Sequence, residues 1–133
     1  MPIPDPGGFL DANSLNMAYA SIQDMVDSFG EEELVSLTNL DDTQATTINE
    51  TIVNRALADA SSIVDSYLQS RYVVPMPSIP PVLIRTVCDM ARLMLDQDNP
   101  REQVVRRSDA AYSFLKDIAL KRSLSSVINL IYP

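Results

Sequence analysis

A segment with four prolines in seven positions most limits what this chain can fold into. Pro75, Pro77, Pro80 and Pro81 each lack a backbone N–H group, so this segment cannot be a central strand of a sheet. Residues that precede a proline are disfavoured in the α region, which makes the segment extended. We call residues 71–80 the strap, and we predict that it is a stiff crossover to a helix with Pro81 in its first turn.

The segment before the strap has the apolar period of an amphipathic helix. Its apolar stripe comprises Val53, Ala56, Leu57, Ala60, Ile63, Val64, Tyr67 and Leu68. A helix of ~20 residues is about 30 Å long, which is the width of a small domain. We therefore expect the long central helix of the fold in this amphipathic segment, which starts at Asn49 and ends at Arg71-Tyr72.

Two short helices are predicted before this central helix. Ser21 is a suitable N-cap, with Asp24 in place of the usual Glu of a capping box, and Gly30 ends the first helix. Glu31, Glu32 and Glu33 then begin the second, where carboxylates suit the positive end of the helix dipole. We expect this triplet to be a solvated first turn, and a metal site or a site for a basic partner is the alternative.

Two helices are predicted after the strap. The first runs from Val82 to about Asp96, and the second from Arg101 to about Arg122, after a break at Asn99-Pro100. In the first of these helices we expect Arg85, Asp89 and Arg92 to lie away from the apolar stripe. Cys88 falls within the stripe and is predicted to be a buried, inert thiol. Arg106 and Arg107 in the last helix are expected to be exposed.

The two ends of the chain differ from this helical part. Residues 1–16 hold three prolines and two glycines, which predicts a flexible or extended arm. Met17, followed by Ala-Tyr-Ala-Ser, is an alternative natural start, and the upstream residues would then be foreign. Residues 123–133 form an apolar tail that either folds back over the bundle or adds to a neighbouring chain. We therefore expect an all-α bundle of four to five helices in residues 17–122.

Charge and composition limit the possible functions. The net charge is −8, and up to Ser66 the chain has twelve acidic residues and one basic residue, against six acidic and nine basic residues from Tyr67 onward. A chain this acidic is a poor candidate for wrapping duplex DNA, whereas opposite charges on two halves favour head-to-tail association of subunits. No apolar run approaches the ~20 residues that would cross a membrane.

Catalytic and cofactor motifs are absent from the sequence. Without histidine and with one cysteine, the chain lacks the usual zinc ligand sets and any Ser-His or Cys-His pair. Its three glycines, at positions 7, 8 and 30, form no phosphate-binding loop. We predict that the protein is not an enzyme and that it takes no cofactor or metal.

Four stretches in this order and spacing resemble the phage Mu gp36-like family. They are Met17-Ala18-Tyr19-Ala20-Ser21 leading to Phe29-Gly30-Glu31 and Glu33-Leu34; Ala56-Leu57-Ala58-Asp59-Ala60 with Asp65-Ser66-Tyr67-Leu68; Arg71-Tyr72 through Pro75 and Pro80-Pro81; and Asp109-Ala110 with Phe114-Leu115 and Asp117-Ile118-Ala119. The resemblance covers about residues 17–124. The chain departs from the pattern at Leu120-Lys121, where a glycine before a basic residue is expected, and the acidic loop before the central helix lacks its usual glycine.

The resemblance implies a structural head-tail adaptor of tailed phages or prophages. Such subunits form a ring of about twelve copies that binds the portal on one side and a neck or tail terminator protein on the other. The resemblance also implies that DNA passes through the ring without specific binding, and that the protein is made in the bacterial cytoplasm and located in the virion at the head-tail interface.

The interface residues predicted on this basis lie in the strap, in the last helix and in the tail. They are Arg71, Tyr72, Pro75, Pro80, Pro81, Arg106, Arg107, Val127, Ile128, Leu130, Ile131 and Tyr132. An alternative is a DNA-binding packaging or terminus factor that uses Arg85, Arg92, Arg101, Arg106 and Arg107. A third is a carboxylate-metal nuclease, although no pair of carboxylates stands out.

Overall fold

The computed structural model describes residues 18–96 and 98–120, and every regular element in these ranges is an α-helix. The five helices are α1 (Ile22–Phe29), α2 (Glu31–Thr38), α3 (Glu50–Leu68), α4 (Pro81–Met94) and α5 (Glu102–Ala119). The predicted all-α bundle with a long central helix is confirmed. The predicted arm and tail lie outside the described residues.

Local signals in the sequence set the ends of the first two helices. Asp24 N donates to Ser21 Oγ at 3.1 Å, and Ser21 N donates to Asp24 Oδ2 at 2.8 Å, so the predicted capping box is formed. Gly30 has a φ of 91°, which a residue with a Cβ rarely adopts, and it both ends α1 and begins α2. The chain therefore changes direction here without a loop.

Helices α3, α4 and α5 pack against one another, while α1 packs against both α3 and α4, and α2 packs against α1 and α3. The largest fully buried side chains are Phe114, Met25, Leu34, Leu57, Leu68, Leu83, Met90, Leu115 and Ile118. All five helices therefore contribute to one core.

Side-chain contacts show the direction of the helices. Asp89 in α4 pairs with Arg107 in α5, and Glu33 pairs with both Arg92 near the end of α4 and Arg101 just before α5. These pairs show that α4 and α5 run antiparallel. Near the other end of the bundle, the rings of Tyr67 in α3 and Tyr112 in α5 meet edge to face at 6.5 Å. Helices α3 and α5 therefore run in the same direction.

The strap contains no helix or strand, but a turn at Arg71 and several bends between Tyr72 and Ser78 interrupt the extended course predicted for it. Tyr72, Val74 and Met76 are half-buried and pack against the core, whereas Val73 and Pro75 between them are exposed. The bundle therefore covers alternate side chains of residues 72–76 and leaves those between them exposed. The Val74–Pro75 peptide bond is cis.

Candidate interaction surfaces

Tyr19 fixes the strap to the helical bundle. Its backbone N–H donates to Ser61 Oγ at 2.9 Å, and its hydroxyl donates to Asp65 Oδ1, both in α3. The same hydroxyl accepts a bond from the backbone N–H of Met76 at 2.8 Å. One side chain therefore joins the start of the described chain, the central helix and the strap. Burial, with the bond to Asp65, raises the pKa of Tyr19 to about 12.

The outward side of the strap is an apolar surface at the end of α3. Its exposed apolar side chains are Val73, which is 82% exposed, Pro75 and Ile79, and exposed Arg71 precedes them in the chain. Such a row of apolar side chains is suited to contact with a partner. Val73 was missed by the sequence prediction, because the Val73-Val74 pair before Pro75 gives no sign of which valine faces the bundle.

The predicted strap residues are not equally available. Arg71, Pro75 and Pro81 are exposed, whereas Tyr72 and Pro80 are half-buried. Pro80 is the N-cap of α4 and its carbonyl accepts from Leu83 N at 2.9 Å. Tyr72 and Pro80 therefore support the strap, and the other three residues are on its surface.

A buried ion-pair cluster lies where α1, α2, α4 and the start of α5 meet. Arg92 is 3% exposed and its Nε donates to Glu33 Oε2 at 2.6 Å, while its Nη1 lies 3.3 Å from Asp96. Arg101 Nη2 reaches the other oxygen of Glu33 at 2.8 Å. The Arg92 guanidinium also lies 6.0 Å from the centre of the Phe29 ring. One glutamate therefore connects the acidic and basic halves of the chain.

A second pair in this cluster joins α4 to α5. Asp89 is buried, and its Oδ1 lies 2.8 Å from Arg107 Nη2. The Arg107 guanidinium lies 5.3 Å from the centre of the Phe29 ring, on which Arg92 also packs. Burial outweighs the nearby charges of Arg107 and Arg85 and raises the pKa of Asp89 above its ordinary value.

These pairs correct three expectations drawn from the sequence. Asp89 and Arg92 do not lie on a solvated side of α4, because α1, α2 and α5 cover that side and supply partners for both charges. Arg107 is only one third exposed, because its guanidinium lies over Phe29. Arg106 is exposed as predicted and pairs with Glu102 at 3.1 Å.

The glutamate triplet divides into two roles. Glu31 and Glu32 are exposed, as expected of a solvated first turn. Glu33 is 26% exposed and bound to two arginines, so the prediction of solvation is wrong for this residue. Burial alone would raise the pKa of Glu33, but the bonds and charges of Arg92 and Arg101 outweigh it and hold the pKa below the usual value.

Two open grooves, of about 500 and 440 Å³, share Asn39, Leu40 and Asp42 in their walls. We call these walls the Leu40 surface, which comprises acidic Glu31, Glu32, Asp41 and Asp42 around apolar Leu40, Ile52 and Met94. Leu40 is 69% exposed. Ile52 and Met94 place this surface at the start of α3 and the end of α4, so it lies at the opposite end of α3 from the strap.

The loop that forms the Leu40 surface is held at both ends. Asn39 Nδ2 donates to the carbonyl oxygens of Val35 and Thr47, each at 2.8 Å. Thr38 Oγ1 donates to Leu34 O at 2.7 Å and accepts from Asn49 N at 3.0 Å. These bonds hold residues 39–48 against α2 and α3, so the surface is formed before any partner arrives.

The described ranges show neither a cation site nor a membrane helix. Residues 18–96 and 98–120 contain no group of three or more acidic or cysteine side chains arranged to hold a metal ion. Within these same ranges, no helix is long and apolar enough to cross a membrane. Predicted interface residues Val127, Ile128, Leu130, Ile131 and Tyr132 lie outside them.

A family model described as Bacteriophage Mu, Gp36 matches residues 19–125 of this chain. The chain belongs to this family. It is therefore a phage or prophage protein, and the resemblance noted from the sequence is confirmed. The match begins at Tyr19 and includes all five helices of this Gp36-family fold, the strap and the Leu40 surface.

Two curated proteins are similar to this Gp36-family chain. The Mu-like prophage FluMu protein gp36 of Haemophilus influenzae is 37% identical over 76 residues, which cover 57% of this chain and 54% of that protein. Gene product J of Escherichia phage Mu is 33% identical over 88 residues, or 66% of this chain and 62% of that protein. The chain therefore matches a little over half of the length of these relatives.

Proposed function

We propose that this protein is a structural head-tail adaptor, in which a ring of about twelve copies joins the portal to the tail of a phage particle. The subunit contributes contacts and no catalysis, and DNA passes through the ring without specific binding. A tail-side neck or terminator protein binds the opposite side of the ring from the portal. This role places the protein in the virion at the head-tail interface.

The observation that carries the proposal is the position of the two exposed apolar surfaces. The Leu40 surface and the outward side of the strap lie at opposite ends of α3, whose 19 residues span about 28 Å. The Leu40 surface is acidic, whereas the strap end carries exposed Arg71 and Lys116 near the end of α5. Two different, oppositely charged surfaces on one rigid subunit suit a heterologous contact, which is the kind that closes into a ring.

The alternative of a DNA-binding packaging or terminus factor fits the structure less well. Of its five proposed arginines, four pair with carboxylates of the same chain: Arg92, Arg101, Arg106 and Arg107. Arg85 Nε lies 3.9 Å from Asp89. Non-specific DNA binding depends on cationic side chains that neutralise phosphates and so release the counterions condensed on the DNA. Arginines that are already neutralised by carboxylates contribute little to it.

The proposal is tested by electron microscopy of particles made with and without this protein. Particles lacking it should accumulate as filled heads and separate tails, and adding the purified protein should restore joining. A Val73→Asp variant should fold normally, because Val73 is exposed, yet restore joining poorly. Joined particles in the absence of the protein would exclude the adaptor role. Retention on DNA at physiological salt would favour the packaging factor instead.

A further inference from the structure

We propose that the Leu40 surface binds residues 121–133 of a neighbouring copy of this chain. This inference rests on the proposed function, because the proposed ring brings the strap end of one subunit next to the Leu40 surface of its neighbour.

The chemistry of residues 121–133 matches the Leu40 surface. The segment begins with Lys121-Arg122, continues through four residues that include three serines, and then carries the apolar run Val127-Ile128-Asn129-Leu130-Ile131-Tyr132. The surface offers exposed Glu31, Glu32, Asp41 and Asp42 beside exposed Leu40. Two cations followed by an apolar run therefore meet carboxylates beside an apolar groove, and oppositely charged surfaces favour correct register.

The acidic side chains of this surface are available to a partner. Glu33, next to them in sequence, is already bound by Arg92 and Arg101. No ion pair is formed by Glu31, Glu32, Asp41 or Asp42 within the part of the chain that the structure describes. The loop is also held in place by Thr38 and Asn39, so binding does not require it to become ordered.

The basic pair cannot reach this surface in its own subunit. From Ile52 to Tyr67 the central helix rises about 22 Å, and from Tyr112, which contacts Tyr67, to Leu120 the last helix rises about 12 Å further in the same direction. Leu120 is thus about 30 Å or more from the Leu40 surface along the bundle. Two further residues extend the backbone by at most about 7 Å beyond Leu120, so even with their long side chains the two charges fall well short of this distance. The charges can meet only if the segment comes from another copy.

A binding experiment with a synthetic peptide tests the pairing without any phage particle. A fluorescent peptide of residues 121–133 is titrated into the full chain, and its anisotropy is followed. We expect saturable binding that weakens with added salt and weakens at least fivefold in a Glu31→Gln, Glu32→Gln double variant. The matched control is Asp59→Asn with Asp109→Asn, which removes the same charge from exposed positions on α3 and α5.

A cross-linking experiment identifies the source of the segment in the full chain. A carbodiimide links lysine amines to carboxylates, and Lys121 and Lys116 are the two lysines of the sequence. In a mixture of isotopically light and heavy chains, links from Lys121 to Glu31 or Glu32 should join light to heavy chains as often as chance allows. Links only within one chain would show that the subunit's own segment is bound, and would overturn the proposal.

Two further outcomes would overturn it. One is the absence of saturable peptide binding up to millimolar concentration, and the other is equal weakening by the control variant, which would indicate attraction to net charge alone. If the peptide fails to bind but particles still need this protein for joining, the adaptor role stands and the Leu40 surface binds a different protein. If the peptide binds but particles join without the protein, the pairing stands and the adaptor role fails.

Discussion

Arg92 Nε lies 2.6 Å from Glu33 Oε2, and this pair ties the end of α4 to the first turn of α2. The arginine is almost fully buried, and the glutamate comes from the acidic half of the chain. Part of the charge difference between the two halves is therefore used within one subunit. Glu33 is thereby occupied within the subunit, which leaves exposed Glu31 and Glu32 as the carboxylates of this triplet that a neighbour can reach.

Replacing Glu33 with Gln should destabilise the fold. Among the described residues, the change leaves Asp96, at 3.3 Å, as the remaining anionic partner of the buried Arg92. Breaking a buried pair costs several kcal/mol, but Glu33 is a quarter exposed and Asp96 remains, so we expect a loss of about 1–3 kcal/mol. Urea denaturation followed by circular dichroism measures it.

Two variants serve as controls for this prediction. Glu31→Gln, at an exposed position in the same turn, should change the free energy of unfolding by less than about 0.5 kcal/mol. In an Arg92→Met background, Glu33→Gln should cost much less than in the wild type, because no buried charge is then left unpaired. Equal costs in the two backgrounds would show that the ion pair does not carry the effect.

The pH dependence of stability should differ in sign between Glu33 and Asp89. The pKa of Glu33 is below its ordinary value of 4.5 in the folded state, so its contribution is present above pH 4.5 and is lost as pH falls through the lower folded pKa. The advantage of wild type over Glu33→Gln should therefore shrink on acidification. Denaturation midpoints measured from neutral pH down to about pH 3 test this.

Asp89 should behave in the opposite way. Its folded pKa is above its ordinary value of 3.8, so the folded state binds a proton more tightly than the unfolded state does. As pH falls through the folded pKa towards 3.8, wild type should gain stability relative to Asp89→Asn. If acidification instead lowered the stability of wild type relative to Asp89→Asn, pairing with Arg107 would outweigh burial.

The sequence predicted the helices because their ends and stripes are local features. The Ser21 capping box, the period of α3 and the prolines before α4 each depend on neighbouring residues. The partners of buried charges are not local. Glu33 and Arg92 are 59 positions apart, and no pattern in either segment indicates that they meet. For the same reason Asp89 and Arg92 were placed on a solvated side.

The candidate surfaces were predicted in part. Prolines alone indicated that the strap is extended, but the alternation that exposes Val73 and covers Tyr72 depends on the bundle beneath it. Tyr19 gave only a weak signal, as an aromatic residue two positions before an N-cap, because its bonds to Asp65 and Met76 span 46 and 57 positions. In the sequence, the Leu40 surface was recognised only as the acidic loop before the central helix, since a single leucine among turn-forming residues does not reveal its exposure.

Tyr19→Phe should loosen the strap without unfolding the bundle. The variant keeps the ring but loses the hydroxyl that Met76 N–H and Asp65 use, at a cost of about 1–2 kcal/mol. Amide hydrogen exchange should then speed up in residues 71–80 and stay unchanged in α5. Faster exchange throughout, or none, would contradict a local role.

The same hydroxyl should affect alkaline stability. Since its folded pKa is about 12 against an ordinary 10.0, the contribution is present below pH 10 and is lost as pH rises from 10 to 12. Wild type and Tyr19→Phe should therefore converge in stability over this range, which denaturation at alkaline pH measures.

Cys88 should react with thiol reagents only when the protein unfolds. It is buried, and burial with the nearby charges of Asp24 and Asp89 raises its pKa to about 12, so little thiolate is present at neutral pH. Its labelling rate should rise with urea along the unfolding transition. An Ala58→Cys variant, in which the new thiol is half-buried on α3, serves as the accessible control. Rapid labelling of Cys88 in native buffer would show local opening of α4.

Replacing Pro80 and Pro81 with Ala should weaken head-tail joining while preserving helicity. Pro81 occupies the first turn of α4, where Ala is also accepted, and the Pro80 carbonyl still accepts from Leu83 N. The change removes two restraints on the backbone angle φ and so makes the strap more flexible. The free energy of unfolding should fall by roughly 0.4–1 kcal/mol for each proline. Pro100→Ala, before α5, is the matched proline control outside the strap. Circular dichroism should be unchanged in both variants, and electron microscopy should show fewer joined particles only for the strap variant. Unchanged joining would show that the strap is only a connector between helices.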